Sequence, residues 1–409
     1  MSARTPTIVD VDAHFEPSPD WLDEFPALRA QLPELLPDTD PRFRLDSGEM
    51  FAFFVSDDLL RGVPRERRMG IDRLTTPAMT VMFDPDRPPE VGYEGASQYQ
   101  PMAAPSERVR WMDERGIAHQ NVISGAGYTL ARAIADPALG RAAVEAVNTW
   151  MTDHAAEHAS RLHPVTSLRF DDLDWVVGEL TRMRARGSRA FLVSAEPVNG
   201  IPPNHPDFDR VWSAATDLGM IAHLHVGMSP SLLHPGWANT DDAGLIRFLS
   251  VLQPHQAAQV FLAGLVMGGV FERHPRLTVL FSELGTDWFL PTVLRMDAMA
   301  APGLSPLVVG EYRLPLQPSE YVRRNVRISP IPAPHESPVA LLDALPEVAV
   351  FSSDYPHFEG NPDPVPYYDT ALEAVAEEGK QRFLSANIAA SYALTGDPLV
   401  LPAARDGVA

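Results

Sequence analysis

Ile8-Val-Asp10-Val-Asp12-Ala-His14-Phe-Glu16 puts a polar side chain on every second position of a short run whose other members are apolar. In an extended chain alternate residues share one face, so Asp10, Asp12, His14 and Glu16 point the same way. Such a face is either the wet side of an edge strand or an inward face built around something charged. The intervening Val9, Val11 and Ala13 and the N-terminal placement favour the inward face. Asp12 and His14 are then candidate ligands of a hard or borderline divalent cation, with Asp10 deeper and Glu16 at the rim.

The same signature recurs far along the chain. Met220-Ile-Ala-His223-Leu-His225-Val-Gly227 again alternates, and its two imidazoles, about two rises of 3.3 Å apart, sit at different depths. His225, nearer the C-terminal end of the run, is the candidate ligand, and His223 a hydrogen-bonded residue beneath it. Val348-Ala-Val-Phe-Ser352-Ser353-Asp354-Tyr-Pro-His357 ends an apolar run on a carboxylate. Asp354 either caps the following segment or is a ligand that also takes a proton from water or substrate, and His357 is a loop hydrogen-bonder or a catalytic group. Val279-Leu-Phe-Ser-Glu283-Leu-Gly285-Thr-Asp-Trp288 ends similarly. Glu283 is either a catalytic or metal-bridging acid or a structural acid paired with an arginine such as Arg169. Arg169 is also the best basic candidate for a substrate carboxylate, which a guanidinium fork grips bidentately.

Groups this far apart in sequence converge only if their strands share one sheet or barrel. Eight runs rich in β-branched residues carry the pattern: Thr7–His14, His119–Ser124, His163–Leu168, Arg189–Ser194, Met220–Val226, Leu277–Glu283, Asn325–Ser329 and Val348–Asp354. Helices alternate with them. One opens at Asp171-Asp172 and closes before Gly187, another runs from Asp207 to Gly219, and a third, around 242–271, is broken at Pro254. The expected fold is a (β/α)8 barrel of the α/β class, with an open doubly wound sheet as the alternative. Residues about 20–105, broken by Pro33, Pro37, Pro41, Pro64, Pro77, Pro85, Pro88 and Pro89, form an insertion after strand one. Residues 1–395 then make a single unit, and 396–409 a loosely held tail.

Composition narrows the function. The 409 residues carry 33 Lys+Arg against 54 Asp+Glu, a net charge of -21, so a phosphate backbone is an unfavourable partner. The single basic cluster, Arg65-Glu66-Arg67-Arg68, reads as a solvated loop. There is no cysteine, which removes disulfides, thiolate ligands and cysteine nucleophiles. The apolar run from Val260 to Phe271, interrupted by Gly264, Gly268 and Gly269, is too short to span a bilayer, and no leader-like apolar stretch follows Met1. We expect a cytoplasmic protein, neither membrane-bound nor nucleic-acid-binding, and a homodimer. His234, His255 and His335 read as structural. No GxGxxG after a strand, P-loop or GxSxG is present.

Taken together, Asp10-Val-Asp-Ala-His-Phe-Glu-Pro17, Trp111-Met-Asp-Glu-Arg-Gly-Ile117, Met220 to Gly227, Gly269-Val-Phe-Glu-Arg-His-Pro-Arg-Leu277 with the strand to Glu283, and Ser353-Asp-Tyr-Pro-His357 resemble the amidohydrolase superfamily. The nearest branch is that of aminocarboxymuconate-semialdehyde and γ-resorcylate decarboxylases. The resemblance implies a distorted barrel with one divalent ion, zinc first and manganese next, held by Asp12, His14, His225 and Asp354. It implies catalytic roles for Asp354, Glu283 and Arg169 on a small-molecule substrate. Two positions depart from the branch: Asp12 stands where His or Glu is frequent, and Glu283 replaces a catalytic histidine. A carboxylate there repels a carboxylate substrate unless it is protonated or paired. The expected activity is non-oxidative decarboxylation of a small cyclic or unsaturated acid. Metal-activated-water hydrolysis of an amide, ester, lactone or C–C bond, or a non-catalytic metal-binding barrel, are the alternatives.

Overall fold

All seven residues of β1 (Ile8–His14) are buried, the polar ones included, so the alternating run is an inward strand. It pairs in parallel with β2 (Ile117–Ile123), which pairs with β3 (Leu162–Pro164). A second parallel set follows in chain order: β4 (Ala190–Leu192), β5 (Ile221–His225), β6 (Val279–Ser282) and β7 (Val326–Ile328). These come from a computed structural model, which describes residues 7–14, 21–31, 105–134, 136–228, 255–304, 312–331, 336–356 and 363–401, with a few isolated positions besides.

Backbone hydrogen bonds join the two sets at both seams. Thr166 N donates to Ala190 O at 2.9 Å and Leu192 N to Thr166 O at 2.8 Å, which carries β3 onto β4. On the other side residues 348–355 act as the eighth stave: Val350 N donates to Ile328 O, Val11 N to Phe351 O and Asp354 N to Asp12 O. The ring is the expected eight-membered barrel. The third and eighth runs are less regular than expected. Pro164 lacks an N–H for a ladder, and in the eighth run Ser352 and Ser353 spend their hydroxyls on Pro330 O and Asp10.

The main helices outside the ring are α1 (Pro105–Arg115), α2 (Gly125–Ala133), α3 (Pro137–Ala155), α4 (Leu173–Ala185), α5 (Asp209–Leu218), α6 (Gln256–Met267), α7 (Phe289–Ala300), α8 (Pro318–Asn325), α9 (Val339–Ala344), α10 (Pro364–Ala371) and α11 (Asn387–Leu394). Local chemistry sets their ends. Asp172 accepts from Asp174 N and Trp175 N to start α4, and Gly219 at φ 67 ends α5 in the left-handed conformation that a Cβ disfavours. Of the broken helix expected around 242–271, residues 242–254 other than Leu249 lie outside the described residues. One apolar core, with Phe191, Trp212, Phe281, Tyr321 and Tyr392 fully buried, fills the space between ring and helices. No described helix is long and apolar enough to cross a membrane.

Of the insertion, 32–104 lies outside the described residues. Its start, a turn at Trp21–Glu24 and a short helix at Pro26–Arg29, packs on α3, where Trp150 Nε1 donates to Glu24 Oε1 at 3.1 Å. The tail corrects the expectation of loose attachment as far as Val400. Asp397 takes Arg184 and Arg189 at 2.6 Å each, and the Val400 carbonyl lies 3.0 Å from His119 Nε2. Residues 402–409 lie outside the described residues.

Candidate metal centre

Four of the eight staves deliver side chains to the C-terminal mouth of the ring. Asp12 and His14 come from the end of β1, His225 is the last residue of β5, Glu283 follows β6 directly, and Asp354 lies on the eighth stave. His14 Nε2 stands 3.3 Å from Asp12 Oδ1 and 3.3 Å from Asp354 Oδ1. His225 Nε2 stands 2.5 Å from Glu283 Oε2 and 3.7 Å from Asp12 Oδ1. The two imidazole rings meet edge to face with centroids 5.0 Å apart. Ligand atoms of Asp12, His14, His225 and Glu283 all lie within 4.8 Å of one another.

Backbone conformation is part of this construction. Glu283 and Asp354 have φ of 56° and 51°, and among the described residues only Asn199 shares that left-handed region without being glycine. Each such residue costs about 1–3 kcal/mol, which the surrounding structure must offset. Both stand where a strand ends at the mouth, so the strain coincides with the placement of an acid over the centre.

The electrostatics are those of a cation site. Burial alone would raise the Asp12 carboxyl, but the facing imidazoles of His225 and His14 hold it well below the usual carboxylate range. Burial would lower His14, yet Asp12 and Asp354 hold it well above the ordinary imidazole value. Below them burial pushes His223 down to about 3, and its Nε2 lies 2.6 Å from Ser282 Oγ, so it is a neutral packed imidazole as expected. Asp10 is deeper still, raised to about 7 by burial against the opposing donors Ser353 and Gln120. A divalent ion fits this set: three acids outnumber two imidazoles, and buried Asp12 Oδ1 has no aligned hydrogen-bond donor while facing two imidazole nitrogens.

The structure therefore brings Asp12, His14, His225 and Asp354 together and adds Glu283 to them through His225. It does not pair Glu283 with Arg169. Arg169 Nε donates to Asp171 Oδ2 at 2.7 Å, and its Nη1 donates to Ala131 O and Ile134 O at 3.0 and 2.5 Å, at the C-terminus of α2. A cation there satisfies carbonyls that the helix leaves open, a structural task, which corrects its reading as a substrate clamp. Glu16, His335 and His357 lie outside the described residues. His255 stacks on Trp288 and His234 Nδ1 accepts from Gly236 N, both structural.

Sequence reasoning missed Tyr128, whose buried ring lies 5.9 Å from that of His225. Its signal was present: Ser124 ends the β2 run and caps α2, so the first turn of that helix starts at the mouth. It also missed Glu336, which accepts from Thr286 N and Oγ1 at 3.0 and 2.7 Å and fixes the turn after Glu283.

A family model described as amidohydrolase matches residues 9–394. Among solved structures, an amidohydrolase from Mycobacterium avium subsp. paratuberculosis K-10 is similar with 21% identity and a TM-score of 0.64, covering 94% of this chain and 99% of that one. A 5-carboxyvanillate decarboxylase from Sphingomonas paucimobilis gives 18%, 0.61, 95% and 99%. A dihydroxybenzoic acid decarboxylase from Polaromonas sp. JS666, solved with manganese and 2-nitroresorcinol, gives 16%, 0.60, 95% and 98%. No curated protein matches the chain. At these identities the likenesses carry the fold.

Proposed function

The chain is an enzyme of the amidohydrolase family, and on that premise we propose that it is a divalent-metal-dependent decarboxylase of a small cyclic or unsaturated carboxylic acid. The observation that carries the reading is the cluster of Asp12, His14, His225 and Glu283 ligand atoms within 4.8 Å of one another at the barrel mouth. These four would hold the ion. Two imidazoles beside carboxylates suit zinc first and manganese next, and manganese occupies the Polaromonas structure. When bound, the ion would supply positive charge beside the substrate carboxylate or a neighbouring oxygen while negative charge develops there.

The remaining tasks fall to the chain's own side chains. Asp354, 3.3 Å from His14 Nε2, is the acid that delivers a proton to the carbon that loses CO2. Glu283, against His225 Nε2, would share the ion with that imidazole, so its charge is paired rather than aimed at an anionic substrate. The buried ring of Tyr128 beside His225 excludes water and offers a flat face to a planar acid. Decarboxylation products of several solved neighbours' named substrates are phenols, so hydroxybenzoic acids are the first compounds to try.

A second reading rests on the three acids at the mouth: Asp354 would deprotonate water for hydrolysis of an ester, amide, lactone or C–C bond. One experiment separates the two. Metal-replete protein is incubated with a panel of hydroxybenzoic acids and of neutral esters and lactones in 18O water. Release of CO2 with no 18O in the organic product supports decarboxylation. Label in the organic product, without CO2, replaces it by hydrolysis.

A further inference from the structure

Beneath the mouth runs a line of buried polar side chains that the chemistry above does not use. Arg108, on α1 and 8% exposed, donates through Nη2 to the carbonyl of His14 at 2.5 Å and through Nη1 to Gln120 Oε1 at 3.0 Å. Gln120, on β2, donates through Nε2 to Asp10 Oδ2 at 2.8 Å. Asp10 accepts Ser353 N on Oδ1 at 2.9 Å and Ser353 Oγ on Oδ2 at 2.6 Å. Ser353 Oγ in turn accepts Tyr355 N at 3.1 Å. The line thus starts on the backbone of His14 and ends on the residues on either side of Asp354. Two seam bonds close it into a loop: Asp354 N to Asp12 O and His14 N to Tyr355 O, both 2.8 Å.

Stability alone does not call for these residues. A guanidinium and a carboxylate buried this deeply bring a desolvation penalty that apolar side chains of similar volume would avoid. A fully satisfied polar network, by contrast, admits one arrangement of its members, whereas apolar packing tolerates several. The strand ends it joins carry Asp12, His14 and the left-handed Asp354, where a small slip would misplace both an ion's ligands and the proton donor.

We propose that Arg108, Gln120, Asp10 and Ser353 form a positioning strut that sets Asp12 and His14 in register with Asp354, and so sets the metal affinity of the centre. The proposal rests on the reading of Asp12 and His14 as metal ligands beside the proton donor Asp354. Its test is the metal dissociation constant of the full chain, measured with zinc and with manganese by competition against a chromophoric chelator, beside the melting temperature of the metal-free protein. Ser353→Ala should weaken metal binding by about 10–100-fold, the range found when partners that orient ligands are removed, with little change in metal-free melting. Ser353→Thr, which keeps the hydroxyl, should bind as wild type does. Gln120→Met breaks the line at another link and carries the same expectation should Ser353→Ala fold poorly. Wild-type affinity in folded Ser353→Ala or Gln120→Met overturns the strut. Asp12→Ala is the control: if it too binds as wild type does, the metal-centre reading itself falls, whereas its loss of metal beside an unaffected Ser353→Ala removes the strut alone.

Discussion

At the C-terminal mouth His14 and His225 present Nε2 to acids, while nearer the N-terminal ends of β2 and β3 His119 presents Nδ1 to another imidazole, His163 Nε2 at 3.1 Å. The mouth gathers three acids, two of them on strained backbone, and Asp12 and Asp354 push the His14 imidazole up. At the other end charges are matched: Asp397 sits between Arg184 and Arg189, the Val400 carbonyl meets His119, and burial with the nearby His119 pushes His163 down to about 3. The contrast teaches that one residue type serves two ends. Acid neighbours make an imidazole a site for a cation, and imidazole and carbonyl neighbours make it packing.

The largest effect should come from breaking the mouth. Asp12→Ala or His225→Ala is expected to abolish stoichiometric metal and, with it, turnover, while circular dichroism shows the fold intact, because mouth residues contribute more to function than to the core. Full metal content in either purified variant would remove that residue from the ligand set. Glu283→Gln comes next. It keeps size but lacks the charge that faces His225 Nε2, so metal affinity should fall by roughly 10²-fold and kcat with it; a kcat loss at unchanged affinity would make Glu283 a proton-transfer group instead. Asp354→Asn should lower kcat by at least ~10² with metal largely kept, which mass spectrometry and rates on one preparation decide.

The opposite end should answer to acid and not to metal. The neutral His163 of the fold refuses a proton that the unfolded ring takes below about pH 6.5. Above that pH both states are neutral and nothing changes; as pH falls towards 3 the unfolded chain is favoured by about 1.4 kcal/mol per unit. Urea unfolding at pH 6.5 and 5 should therefore differ by roughly 2 kcal/mol from this residue, and His163→Gln should remove that part. An unaltered acid dependence in the variant would place it elsewhere. Smallest of all, Asp397→Ala should lower stability by about 1 kcal/mol, since its arginine partners are partly exposed, and leave metal content and kcat untouched.

Much of the mouth was legible because its residues lie on strands. Period two in β1 and β5 fixes which side chains share a face, and the strand direction fixes which of His223 and His225 is nearer the mouth. Glu283 beside His225 follows once β5 and β6 are neighbours. What the sequence hid are partners chosen by helices and by distant chain. Arg169 follows β3 and looks free to meet a substrate, but the carbonyls that end α2 claim it. Asp397 lies in a Gly-Asp-Pro stretch that reads as a loop end, and its partner Arg189 is far away in sequence. Arg108 shows only as one charge in an ordinary helix.

The seam between β1 and residues 348–355 also sets an order of assembly during synthesis. Asp10 and Ser353 are 343 residues apart, so β1 emerges from the ribosome long before its second neighbour exists. At ~5–20 residues per second that delay is roughly 20–70 s. For that time an acid-lined strand has one edge uncovered, and Asp12 and His14 wait for Asp354. The mouth is thus completed among the last parts of the nascent chain, and the proposed metal centre gains its Asp354 neighbour only once translation has passed Tyr355.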